Sequence, residues 1–307
     1  MKGYLLATVL SSIGWSLTQE HLRLETNNPL VTIMRVWLAV LFLFVNSAQA
    51  ERILLTNDDG YQAPGITALF EALTAANHDV TLIAPATQQS GASASITSSG
   101  VTLEKHAENI YSVSGRPADA VLVGLAEVFK DSPPDLVISG ANFGQNSGQD
   151  AMISGTVGAA TIAHLRGVPA IAISVEINFK ELEQRFPSTM KAMPGAASFI
   201  VELLKSDAKL PDGAILNINY PAREPSDIQG VIPTKLANYS LFDGSYRRSE
   251  SGVLLPNFNL KPPLGRGTDA YELRQGYITL TRLDGTYGLN INRRLKTLAR
   301  ELDKALY

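Results

Sequence analysis

The stretch ILLTNDDGYQAPG, residues 53–65, decides the fold. The apolar run from Arg52 to Thr56 reads as a strand buried on both faces, and Asn57-Asp58-Asp59-Gly60 ends it in turn residues. Helical spacing of apolar residues follows over Ile66–Ala76, and a second apolar strand at Val80–Ala84. Strand, helix and strand in that order form the unit of a parallel sheet, because a parallel neighbour is reached only by a crossover.

The unit repeats outward. Helical spacing returns over Asp119–Phe129, Gly155–Leu165 and Met190–Leu204, and short apolar strands at Leu136–Ser139, Ala170–Ser174 and Ile215–Tyr220. The expected fold is a Rossmann-like, doubly wound, mostly parallel α/β sheet over residues 51–221. Past Pro221, Pro, Gly and Asn recur and helical periodicity vanishes. Residues 222–307 therefore read as an arm, with hairpins and extended segments over about 225–285. It ends in a helix over Asn290–Leu306 that carries Leu295, Leu298, Leu302 and Leu306 on one face. That face docks either on another subunit or on its own domain.

The N-terminus reads differently. From Met34 the chain runs MRVWLAVLFLFVNSAQA, a basic residue, a short apolar run and an Ala48-Gln49-Ala50 site, which is the pattern of a secretory signal peptide over residues 34–50. The run is too short for a stable membrane span. Residues 1–33 then lie upstream of the true start, and 51–307 form the mature domain, periplasmic or secreted. It stays cytoplasmic if the leader is not functional.

Composition narrows the chemistry. With 26 basic and 29 acidic residues of 307, a formal net charge of −3 and no basic block, binding to a nucleic-acid polymer is disfavoured. No cysteine is present, which removes disulfides, thiol catalysis and thiolate metal sites together. A metal would be held by oxygen or by one of four histidines. His78, His106 and His164 read as surface or structural residues, and Arg116 as a solvated loop residue or a phosphate contact. The Gly60-to-Thr67 spacing resembles a phosphate-binding loop but has Ile66 where the lysine belongs, and the zinc-protease, dinucleotide and serine-hydrolase signatures are missing.

Ligands of an open parallel sheet bind beyond the carboxyl ends of its strands. Asp58 and Asp59 stand there, and two adjacent carboxylates repel unless a cation lies beside them. A hard divalent cation answers that, and an ordinary Asx turn is the competing reading of the same four residues. Two further loops reach the same edge. APATQQSGASASIT (84–97) is rich in small hydroxyl residues, and VISGANFGQNSGQDAMISGTVGAA (137–160) supplies Asn142 and Asn146 before Ser154-Gly155-Thr156 opens a helix. Free N–H groups at a helix start form an anion site, while plain N-capping explains the Ser and Thr equally well.

In order along the chain, NDDGYQAPGI, APATQQSGASASIT, GRPAD, SGANFG, SGTVGAA and LNINYP make the sequence similar to the SurE family of survival proteins, metal-dependent nucleotidases, from about Arg52 to the GYITLT segment at 276–281. The resemblance implies one divalent cation per subunit, Mg2+ or Mn2+, held by Asp58, Asp59, Ser90 and Asn142. It implies phosphate or substrate contacts from Asn57, Asn146, Ser154, Gly155 and Thr156, and a homodimer or homotetramer paired through the C-terminal arms. The implied reaction is hydrolysis of nucleoside 5'- and 3'-monophosphates by metal-activated water, with direct attack by Asp58 or Asp59 as the other route. A phosphatase for polyphosphate or another small ester, and a non-catalytic nucleotide-binding module, are the alternatives. Ala86, Gln88, Gln89, Arg116 and Ala120 depart from the family pattern, which bears on substrate preference.

Overall fold

Five consecutive residues, Arg52–Thr56, form β1, and the sheet grows from it on both sides. The computed structural model describes residues 50–206, 209–263, 265–286 and 293–306. The signal-peptide reading of 34–50 thus falls, but for Ala50, outside the described residues.

The main sheet has nine strands in the order β3-β4-β2-β1-β5-β6-β7-β11-β8. They are β2 Asp79–Pro85, β3 Leu103–Ala107, β4 Ile110–Val113, β5 Leu136–Phe143, β6 Ala170–Val175, β7 Ile215–Tyr220, β8 Gly230–Thr234 and β11 Tyr277–Leu283. The six strands from β4 to β7 run parallel, whereas β3 and β11 are antiparallel to their inner neighbours. A separate hairpin pairs β9 Phe242–Arg248 with β10 Leu254–Phe258.

Helices cover both faces. On one, Ile66, Leu69 and Leu73 of α1 (Pro64–Ala75) and Met193, Ala197 and Ile200 of α4 (Pro187–Lys205) bury the odd-numbered β1 side chains Ile53 and Leu55. On the other, Val121 of α2 (Pro117–Val123) and Ala159, Ala160 and Ala163 of α3 (Gly155–Leu165) pack around Leu54. Residues that alternate along a strand point to opposite faces, so continuous apolar runs feed two core layers at once. Among the described residues no helix is long and apolar enough to cross a membrane.

Three boundaries differ from expectation. The second helix begins at Pro117, where a missing N–H costs nothing, and turns into a π-helical segment at Gly124–Val128. β5 continues four residues past Ser139, because one extra residue is accommodated as a bulge: Ser139 pairs with Ala172 and Asn142 with Ser174. The division at 221/222 does not hold, since β8 and β11 belong to the main sheet and a helix, α5 (Asp269–Gln275), lies between them. At seven residues α5 is too short to show a period, and it stops at Gly276 with φ of 97°. Among the described residues of this stretch, the β9–β10 region is the hairpin that was expected. The terminal helix is described as α6 (Arg293–Leu306), with Leu295 and Leu298 exposed; residues 290–292 fall outside the described residues.

Candidate active site

The polar loop after β1 holds itself together through Asn57. Its Nδ2 donates to the Gly60 carbonyl at 2.9 Å and its Oδ1 accepts from the Gly60 N–H at 3.2 Å, with the side chain fully buried. Both polar atoms of the Asn57 side chain thus serve the turn. The asparagine makes an Asx turn, and that turn presents the two carboxylates.

Asp58 is 3% exposed and faces the start of α3. Its Oδ1 accepts the Thr156 hydroxyl proton at 2.5 Å, and the backbone N–H groups of Gly155 and Thr156 point at the same carboxylate. Gly155 is required here by close approach: a Cβ would lie 2.8 Å from both Cβ and Oδ2 of Asp58. Asp58 is thus an anion held at this helix start. Ser154 caps the helix by accepting from the Val157 N–H at 3.1 Å.

Asp59 is partly buried, with one oxygen accepting from the Phe143 N–H at 2.9 Å. The β5 bulge brings that N–H to it and carries Asn142 beside it. Asn142 gives its Nδ2 to the Gly144 carbonyl, so its remaining amide atom is an oxygen. Burial raises the Asp58 carboxyl above the ordinary range despite its donors. Burial, then the charge of Asp58, push Asp59 up to about 6. Two carboxylates held in this state release free energy when a cation joins them.

Among the described residues no group of three or more His, Asp or Glu converges. The available donors are two carboxylates and neutral oxygens, the set a hard divalent cation takes. Ser90 is linked to them only through its neighbour: the Gln89 N–H donates to the Asp58 carbonyl at 2.7 Å, while the exposed Ser90 hydroxyl accepts from the Gln88 amide. Asn146 is buried at the same strand ends.

The histidines take structural places. His78 accepts from the Glu51 N–H at 3.2 Å, and His106 bonds Ser112 at 2.8 Å and stacks on Tyr61 at 4.4 Å between ring centres, on edge strand β3. Arg116 is exposed at the start of α2. Ala120 lies fully in the core, so that departure from the family pattern does not alter charge at the site. Sequence reading overlooked Asp119, which accepts from the Thr97 N–H and hydroxyl and from the Arg116 N–H and so ties the 84–97 loop to α2. An aspartate two residues after a helix-starting proline is the signal that marks it.

A sheet of this order, with its carboxylate pair at the end of β1, now meets a family description: Survival protein SurE matches residues 53–242. The chain belongs to the SurE family. It is 37% identical over 240 residues to the 5'-nucleotidase SurE of Rhizorhabdus wittichii, a match covering 76% of this chain and 92% of the relative. It is 40% identical over 238 residues to that of Hyphomonas neptunium, again covering 76% and 92%. Among solved structures, the SurE protein of Aquifex aeolicus is similar with a TM-score of 0.62 at 28% identity, covering 82% of this chain and 99% of that one. The Rossmann-like α/β fold of this chain is that of the SurE family.

Proposed function

We propose that this SurE protein is a divalent-metal-dependent phosphomonoesterase that converts nucleoside 5'- and 3'-monophosphates and water to nucleoside and inorganic phosphate. The buried Asp58–Asp59 pair, with both carboxyls raised, carries this reading, because it is stable as a dianion only with a cation and a phosphate monoester is repelled without one. The 5'-nucleotidase names of the relatives give the substrate class. Asp58, Asp59 and Asn142, joined by Ser90, would hold Mg2+ or Mn2+, which when bound polarises a phosphoryl oxygen and activates water.

The chain's own groups supply orientation. The positive end of α3 faces the pair and attracts a dianion brought beside it. Water gives its oxygen to phosphorus and its proton to the departing nucleoside oxygen. Attack by Asp58 would disturb its bonds to Thr156 and the helix N–H groups, which disfavours Asp58 as nucleophile. Phosphate release from nucleoside monophosphates, sugar phosphates and polyphosphate, with Mg2+, with Mn2+ and with chelator, tests the reading. Release from the nucleotides that stops with chelator is expected, and none with either metal overturns it.

We further propose export through the 34–50 leader and assembly as a dimer or tetramer through the C-terminal arm. Tyr246, Leu254 and Phe258 of the β9–β10 hairpin are exposed, as arm contacts require. Native mass spectrometry of the exported protein checks both: a chain starting at Glu51 and an even assembly are expected. A mature chain beginning upstream of Met34 sinks the first, and a monomer the second.

A further inference from the structure

Asn217 and Asn219 alternate with Leu216 and Ile218 along β7, so their side chains leave the sheet on the face where Ile215 packs with α3. Both are fully buried. They share one partner. Asn217 Nδ2 donates to the Asn146 carbonyl at 2.9 Å and Asn219 Nδ2 at 3.3 Å, while the Asn146 N–H donates to Asn219 Oδ1 at 2.8 Å. The Asn146 amide in turn donates to Ser174 Oγ at 2.8 Å, and Ser174 is the β6 residue paired with Asn219. Two residues on, the Gly148 N–H is held by Asp269 at 2.9 Å.

This clamp has a cost that points to its purpose. Asn217 Oδ1 is buried with no hydrogen-bond partner among the described residues. An orphaned buried carbonyl destabilises a fold, and leucine, of nearly the same shape, would remove the penalty. An asparagine kept there is explained by its other atom, the Nδ2 that fixes Asn146.

We propose that Asn217 and Asn219 are positioning residues, which set Asn146 at the strand ends so that its side-chain amide meets the phosphoryl group of the substrate. The proposal rests on the phosphatase reading above. Because a hydroxyl both donates and accepts, the Asn146 amide can turn over on Ser174 and offer Nδ2 to an anion without losing that contact.

The test compares the wild-type protein with Asn217→Leu and Ser174→Ala. Calorimetry of inorganic phosphate in the presence of Mn2+, Mn2+ affinity, Tm, and kcat/KM for a nucleoside 5'-monophosphate are measured for each. Asn217→Leu is expected to keep or raise Tm and to hold Mn2+ affinity within about twofold, while phosphate affinity and kcat/KM fall about tenfold or more together. Ser174→Ala, which removes only the side-chain contact, is expected to weaken phosphate in the same way. A folded Asn217→Leu protein with wild-type phosphate affinity overturns the proposal, as does joint loss of metal and phosphate affinity or failure to fold. Failure of the nucleotidase reading looks different: the wild-type protein releases nothing from any nucleotide, and the phosphate affinities still decide the clamp.

Discussion

Asp59→Asn is expected to cut metal-dependent phosphate release by on the order of a thousandfold, the scale seen when charge stabilisation is removed from an active site. The substitution keeps the shape, and the Asn oxygen can still accept from the Phe143 N–H. What it removes is half the charge that draws the cation. The metal-free protein should respond in the opposite sense. Asp59 titrates near the ordinary 3.8 when unfolded and at about 6 when folded, so between these values the folded state binds more protons. Stability of the metal-free wild-type protein therefore falls as pH rises through that window, and the whole penalty, roughly 2–3 kcal/mol, is present above it. Asn has no such titration. Thermal melts without metal from pH 4 to pH 7 should show a shallower fall and a higher Tm at neutral pH for the variant, and added Mn2+ should raise Tm mainly in the wild-type protein. Chelator-sensitive turnover surviving at the wild-type rate would falsify Asp59 as a metal ligand.

Gly65→Ala should damage fold and site together. A Cβ at Gly65 would lie 1.9 Å from the carbonyl oxygen of Ala141 and 2.9 Å from its carbon. Neither can swing aside like a side-chain end, because Ala141 is fully buried inside the β5 bulge. The start of α1 and the bulge must separate, and the bulge carries Asn142 and the Phe143 N–H that holds Asp59. A loss of about 3 kcal/mol or more is expected, at the upper end of overpacking, or about 6–12 °C in Tm. Metal affinity measured well below that Tm should drop as well. A variant that melts within a degree or two of wild type and binds metal normally would show that helix and bulge are not in fixed contact.

Strands and helices that feed the two core layers were legible because a short continuous apolar run between turn residues must be covered on both sides to leave water. The β5 bulge was not. Gly140 reads as the start of a loop, and only pairing with β6 shows that the strand resumes at Asn142. β3 and β4 escaped for a related reason: Leu103–Ala107 is exposed along most of its length and has no core face to imprint a pattern. At the site, residue types announced the carboxylate pair, but the division of labour within NDDG needed coordinates, since turn formation and metal binding ask for the same residues. Asn217 and Asn219 did carry a signal, polar residues at every second position of an otherwise apolar strand. It is visible once strand direction and partner are known.

The two outermost strands carry a consequence for solubility. β3 exposes Glu104, Lys105 and His106, and β8 is five residues long with Pro233 within it, lacking one donor. Charged or proline-bearing short edges are poor templates for strand addition, the route by which open sheets polymerise. Among the described elements, then, a second copy gains little by extending the sheet at either end. The protein can be concentrated with these edges already blunted, and any ordered pairing is left to side-chain surfaces.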